Sequence, residues 1–503
     1  MTTPTKGMRS HASHGNARHL IAPRLGLLAT LFLMMSGCQT SPGRPAGCSP
    51  ATANANRSRV LTRQILCDTG AEIVHHPFRA GRTVLAAETA WLGSTGRGLF
   101  GKRIGMCLHG TPPPLSPCVD GLDAALIETG LQPASVQLYL DGHRALAALE
   151  QMIDSAQCGI DVLMYIWEED ALGWSIAEHL AAAGATNRRV RVLVDGGANL
   201  IFAPDPATDP APGSPPSTRS RREKPKTAGE VNRALCWLAQ QPGVELIRIR
   251  NPFAHFDHRK LVLIDGQCAW AGGRNFTQPG FFVRHDLSLT MQGPLVAEWQ
   301  AVFESYWRDQ GGKVGCIQPC QAARHDLPAN AAGRLVASGP TEHSLRQALY
   351  HAIDHARFFV YLENPYLTDN GVIVKLARAR RRGVDVRVLL TIQSDTPSIN
   401  HTNKATANRL LAAGVSVYLY PGRIHTKAAL IDGCWAYLGS GNFDLLSLHR
   451  NHELGVVFGP GPILTELDQV LFQPDFNLDW EMHAPLPLTA ADRAYELLAA
   501  FFL

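Results

Sequence analysis

Two stretches of this chain carry the same chemically capable side chains at the same intervals. In one, His258 is followed by Lys260 two residues on, Asp265 at seven, Asn275 at seventeen and Asp286 at twenty-eight. In the other, His425 is followed by Lys427, Asp432, Asn442 and Glu453 at the same distances. Imidazole is the side chain whose proton affinity lies near neutral pH, so it can attack, or give and take a proton, under working conditions. A lysine beside it supplies a fixed positive charge and the asparagine a neutral amide, a set suited to an oxyanion whose charge is spread over several oxygens. Two such half-sites brought together place two His, two Lys and two Asn around one phosphodiester. One imidazole then attacks phosphorus while the other protonates the leaving oxygen, and the lysines do part of what a metal ion does elsewhere, so the chemistry requires no cofactor or metal.

The elements that must mount these residues are legible from periodicity. His and Lys two apart leave the same face of a strand, and the apolar runs after each Lys (Leu261–Ile264, Ala428–Ile431) fix that strand in a core. The Asn residues follow Gly-rich turns, Gly272-Gly273 and Gly439-Ser440-Gly441, where backbone can come close to a phosphate. Each half opens with apolar residues at helical spacing, Leu146, Leu149 and Ile153 in the first, Leu345, Leu349 and Ile353 in the second. Strands are predicted at 160–167, 190–194 and 244–249, and again at 358–362, 384–390 and 415–420. Strands alternating with helices imply an α/β fold with mixed sheets flanked by helices. The duplication predicts two similar lobes related by a pseudo-twofold, with the site at their interface.

The doubled H-x-K-x(4)-D followed by G-[GS]-x-N resembles the phospholipase D superfamily, and most closely its bacterial cardiolipin synthase branch. Tyr165-Ile166-Trp167 with Asp170 and Gly173, Gln292-Gly293-Pro294, Phe303 with Trp307, and Glu363-Asn364-Pro365-Tyr366 resemble phrases of that branch. The likeness spans about Val136 to Phe458. It implies a covalent phosphohistidine, with His258 the nucleophile and His425 the general acid and then base, although the order of the two can be reversed. It also implies phospholipid substrates, phosphatidylglycerol and possibly phosphatidylethanolamine, and transphosphatidylation of the cardiolipin synthase type. Hydrolysis to phosphatidic acid needs the same residues, and a nuclease of the superfamily or an inactive envelope binding protein are the other readings. Asp286 and Glu453 are the candidates to orient the two rings, by the logic of the serine-protease triad. Asp265 and Asp432 belong to the catalytic motif, yet are expected to pair with backbone or cations. His255, His401, His449 and His452 lie near the motifs and are read as neighbours without a twin.

The rest of the chain bounds its setting. With 503 residues, 45% of them hydrophobic, the chain can bury a large core, and its net charge of +4 is too small to imply nucleic acid as a partner. A basic stretch followed by the apolar run Leu25–Met35 and Ser36-Gly37-Cys38 predicts a lipoprotein-type signal peptide over 1–37, with Cys38 lipidated. The expected location is then the cell envelope, on the periplasmic side of a membrane surface, with the protein monomeric. Residues 38–60 read as a tether, 61–133 as an accessory segment of no assigned chemistry, 134–312 as the first lobe with a Pro-rich insertion at 201–229, 333–480 as the second lobe and 481–503 as a C-terminal helix. Lipidation of Cys38 leaves ten cysteines, an even number expected to serve structure rather than catalysis. Sequence spacing shows no zinc-binding pattern.

Overall fold

The structure is a computed structural model that describes residues 57–75, 80–83, 128–201, 232–313, 328–394 and 396–502. The signal peptide, Cys38, most of the accessory segment and nearly all of the 201–229 insertion lie outside these residues.

Fourteen strands build one mixed sheet. In the first half they are β1 (Gln132–Tyr139), β2 (Gly159–Met164), β3 (Arg189–Asp195), β4 (Val244–Ile249), β5 (Lys260–Ile264), β6 (Cys268–Gly272) and β7 (Ser288–Gln292). In the second they are β8 (Ala331–Ser338), β9 (Phe359–Glu363), β10 (Asp385–Leu390), β11 (Ser416–Leu419), β12 (Ala428–Ile431), β13 (Trp435–Gly439) and β14 (Glu453–Phe458). The order across the sheet is β11-β10-β9-β12-β13-β14-β8-β1-β7-β6-β5-β2-β3-β4, so each half lays down its strands in the same sequence outward from the middle. The halves join edge to edge, Gln132–Ala134 of β1 pairing antiparallel with Ala331–Gly333 of β8. The outer three strands of each half are parallel (β2, β3, β4 and β9, β10, β11), as expected where helices make the crossovers.

Local sequence explains the flanking helices. Gly142–Ser155 starts where the Asp141 carboxylate accepts from the Arg144 N–H at 2.8 Å, and it buries Ala145, Leu149 and Ile153 on one stripe. Its counterpart Ser344–His355 buries Leu345, Leu349 and Ile353. Asp170 and Asp369 cap the next helix of each half in the same way, through Gly173 N and Val372 N.

β5 is buried at all five positions because both of its faces are covered. Leu261 and Leu263 enter a central core shared by both halves, whereas Val262 and Ile264 enter the core of the first half. Helix Val296–Asp309 seals the central core with Trp299, Phe303 and Trp307, and burying a side chain of that size stabilises by about 1.5–3 kcal/mol. The Arg191 guanidinium lies 4.9 Å from the Phe303 ring and 5.4 Å from that of Trp307, while making a two-point ion pair with Asp161.

Two expected boundaries shift. The C-terminal helix begins at Ala490, not at 481, and the accessory segment contains a helix, Arg57–His75, that begins inside the expected tether. That helix reaches the first half: Asp68 accepts from Asn251 N and Thr69 Oγ1 from Phe253 N, each at 2.8 Å. Cys67 and Cys158 each take part in a disulfide, whereas Cys236, Cys268 and Cys434 are thiols. No helix among the described residues is long and apolar enough to cross a membrane.

Candidate active site

Both H-x-K segments enter their strands at the same depth. Val262 of β5 pairs with Val162 of β2, and Ala429 of β12 with Leu362 of β9. The strands end alike, with Asp265 and Gly266 at φ 56° and 69° and Asp432 and Gly433 at φ 53° and 64°. This left-handed pair closes a tight hairpin into β6 or β13, a conformation that Asp-Gly tolerates well. The turn aims each Asp back at its own half. Asp265 accepts from the N–H groups of Gln157, Cys158 and Gly159, and Asp432 from those of Arg357, Phe358 and Phe359, all at 2.7–2.9 Å. These two motif residues pin the start of β2 and β9 and touch neither imidazole.

The imidazoles are oriented across the halves. His258 Nδ1 lies 2.9 Å from Glu453 Oε2, and His425 Nδ1 lies 2.7 Å from Asp286 Oδ2. Each ring is therefore held by the acid of the opposite copy, a crossing that sequence spacing did not reveal. Backbone pairing between the halves enforces it. His258 N–H donates to the His452 carbonyl at 2.9 Å, and His425 N–H donates to the His285 carbonyl at 2.7 Å. The segment entering β14 thus runs beside the one entering β5, and the segment entering β7 beside the one entering β12.

This pairing also corrects the reading of His452. It has a twin, His285, each standing twenty-seven residues after its motif His and just before the orienting acid. The signal was present in the sequence and was missed. A second missed residue is Ser440, whose Oγ donates to Glu453 Oε2 at 2.6 Å. Its counterpart, Gly273, has a different reason. A Cβ there would lie 2.2 Å from Asp286 Oδ1, so only glycine lets that turn pass the carboxylate. The longer Glu with Ser and the shorter Asp with Gly are two ways of bracing the same contact.

The lysines are buried between these groups. Lys260 Nζ donates to the His258 carbonyl at 2.5 Å and lies 4.8 Å from the Tyr165 ring, and Lys427 Nζ donates to the His425 carbonyl. Tyr165 meets the His258 ring edge-on at 4.6 Å. Burial pushes Lys260 well below the ordinary lysine range and Lys427 down to about 8, against the pull of Asp286 and Glu453. Burial also lowers both imidazoles, His258 to about 4 and His425 well below its ordinary value, helped by the neighbouring lysines. Asp286 is buried too, which favours its neutral form, but His425, Lys427 and Arg274 outweigh this and hold its carboxyl below the usual range. The rings are thus neutral at pH 7, and a ring whose Nδ1–H donates to a carboxylate presents a lone pair at Nε2. Asn275 and Asn442 are buried beside the motifs, and each has an amide oxygen without a hydrogen-bond partner.

Strands in this order, carrying two crossed His–carboxylate pairs and two buried lysines, form the two-half arrangement expected of a site for an anionic ester. Comparison with known proteins agrees with that class. The family described as cardiolipin synthase, PLD-like domain, matches residues 149–307 and 349–473, more than half of the chain. The chain belongs to this family. It is 28% identical over 348 residues to cardiolipin synthase A of Citrobacter koseri, a match spanning 65% of this chain and 66% of that relative. It is 26% identical to cardiolipin synthase A of Cronobacter sakazakii over 74% of this chain and 76% of the relative. Among solved structures, the phosphatidylserine synthase of Haemophilus influenzae shares the fold, with a TM-score of 0.54, 13% identity and coverage of 74% of this chain and 97% of that one.

Proposed function

We propose that the chain is a phosphatidyltransferase acting on phospholipids through a phosphohistidine, with transphosphatidylation of the cardiolipin synthase type as its reaction. The observation that carries this reading is the crossed pairing: both imidazoles have Nδ1 fixed to a carboxylate, which leaves both Nε2 atoms free to act on one phosphate. His258 Nε2 attacks phosphorus, the bond from phosphorus to the head-group oxygen breaks, and His425 delivers a proton to that oxygen. An acceptor hydroxyl then gives its proton to His425 and attacks phosphorus, and the bond to His258 breaks. Lys260, Lys427, Asn275 and Asn442 bind the phosphoryl oxygens through both steps.

Charge supports the division of labour. Lys260 and Lys427 lie between Asp286 and Glu453, whose carboxyl groups favour the charged form of each lysine against the effect of burial. A phosphodiester adds one negative charge and raises the proton affinity of both rings, so His425 is charged as general acid once the anion is bound. The names of the relatives, cardiolipin synthase A and phosphatidylserine synthase, favour an alcohol over water as acceptor. Lipidation of Cys38, outside the described residues, would hold the site at a membrane surface rich in such lipids.

Purified protein with phosphatidylglycerol vesicles, with and without phosphatidylethanolamine, is expected to yield cardiolipin by mass spectrometry. Phosphatidic acid as the sole product would make water the acceptor and the protein a phospholipase D. Absence of both products would overturn the lipid reading.

A further inference from the structure

Behind the catalytic strands, three ligating side chains from distant parts of the chain converge. His285 precedes Asp286, Glu363 ends β9, and Asp475 ends the helical run that follows β14. One ligand atom from each lies within 4.8 Å of the others. His285 Nε2 is 2.7 Å from Asp475 Oδ2 and 3.3 Å from Glu363 Oε1. One ring nitrogen carries one proton, and the shorter contact takes it. Glu363 is completely buried, and neither of its carboxylate oxygens has a hydrogen-bond donor. A buried carboxylate without a donor costs several kcal/mol unless a proton or a cation compensates it.

The duplication supplies an internal comparison. Glu363 pairs with Ala428 in the second half as Leu163 pairs with Leu261 in the first, so the corresponding position is an aliphatic core residue. The fold at this depth does not need a carboxylate. Its presence in one half, aimed at an imidazole and a second carboxylate, calls for a reason specific to that place.

We infer that His285, Glu363 and Asp475 form a binding site for a divalent metal ion. One imidazole nitrogen and two carboxylate oxygens suit an ion that accepts mixed nitrogen and oxygen ligands, Zn²⁺ or Mn²⁺, rather than Mg²⁺, which prefers oxygen and water. The ion takes no part in phosphoryl transfer. Side chains of neighbouring residues in extended chain leave opposite faces, and Asp286 reaches His425 while His285 turns to the cluster. The His285 carbonyl also accepts from the N–H groups of His425 at 2.7 Å and Thr426 at 3.2 Å. An ion held here ties β9 and the Asp475 segment to the backbone that carries the orienting acid.

The test is metal binding by the purified full chain, stripped with a chelator and titrated with Mn²⁺, which thiols do not attract, and with Zn²⁺. Calorimetry and elemental analysis are expected to show one ion per chain, and the ion is expected to raise Tm. Glu363→Gln should weaken binding at least tenfold, and Glu363→Leu, which installs the residue of the other half, should abolish it. Asp475→Asn provides the same readout if Glu363→Leu does not fold. A His258→Asn, His425→Asn variant should keep the ion. Loss of the ion in that variant would place it at the catalytic imidazoles and overturn the proposal. So would absence of a stoichiometric ion, or its retention by Glu363→Leu and Asp475→Asn; the cluster would then be two carboxylates sharing a proton beside a charged imidazole.

Discussion

His258 takes its carboxylate partner from the far half of the chain: Glu453, 195 residues away, lies 2.9 Å from its Nδ1, while Asp286 serves His425. Neither half can assemble an oriented imidazole without the other. The crossing also assigns a step to each acid. Glu453→Gln disturbs the attacking ring, and Asp286→Asn disturbs the ring that moves protons. Each is expected to cut turnover by about 10²–10⁴-fold. In acid-quenched reactions with labelled lipid, Asp286→Asn should accumulate phosphohistidine and Glu453→Gln should not. The opposite pattern would mean that His425 is the nucleophile.

The two buried imidazoles predict proton uptake on binding a phosphate analogue. Both rings are neutral in the free protein, because burial lowers them, and an anion between them raises their proton affinity. Vanadate or tungstate should therefore bind more weakly as pH rises from 6 to 8, with about one proton taken up per anion. Calorimetry in buffers of different ionisation enthalpy measures that number. Zero uptake would remove the general acid from the scheme.

Stability should fall in acid for the same reason. A His whose folded pKa lies below its unfolded value contributes stability above the unfolded pKa, and that contribution is lost as pH falls through the folded value. For His258 the window runs from about 6.5 down to about 4, worth up to about 3 kcal/mol. His255, pushed by burial to about 3, adds in the same direction. Tm measured between pH 7 and 4 should drop, and His258→Asn should flatten the slope; an unchanged slope would show that the ring is not buried neutral.

Asp265 and Asp432 should prove to be folding residues. Each satisfies three backbone N–H groups, so replacement by Ala leaves buried donors unpaired and should cost about 2–4 kcal/mol. Turnover of the remaining folded protein should stay within about threefold, against losses on the order of 10³-fold or more for His258→Ala or His425→Ala. A collapse of turnover with unchanged Tm would return the two Asp residues to the chemistry.

The turns behind the acids give a sharper pair of variants. Gly273→Ala drives a methyl into Asp286 and should reduce turnover by about 10²-fold. Ser440→Ala removes the hydrogen bond to Glu453 and the one that Ser440 Oγ accepts from Leu454 N–H, costing about 1–3 kcal/mol of orientation, or about tenfold in rate. Equal effects would show that the two acids are braced alike.

The sequence by itself determined the alternation of strands and helices in each half and the doubled set of candidate residues. A two-residue step from His to Lys sets both on one face, a continuous apolar run marks a strand covered on both sides, and an exact repeat of spacings marks a duplicated site. These are local regularities, written in neighbouring residues. Which acid meets which imidazole is not local. It depends on the strand order, with β14 and β7 lying on either side of the β8–β1 junction, and on the bridges that set His452 beside His258 and His285 beside His425. The twin histidines at twenty-seven were readable but carried no meaning until that pairing gave them one. Glu363 looked like part of a family phrase, and only burial without a donor, beside His285 and Asp475, set it apart. Side chains hundreds of residues apart acquire a common chemistry through packing, and packing is decided by the whole chain at once.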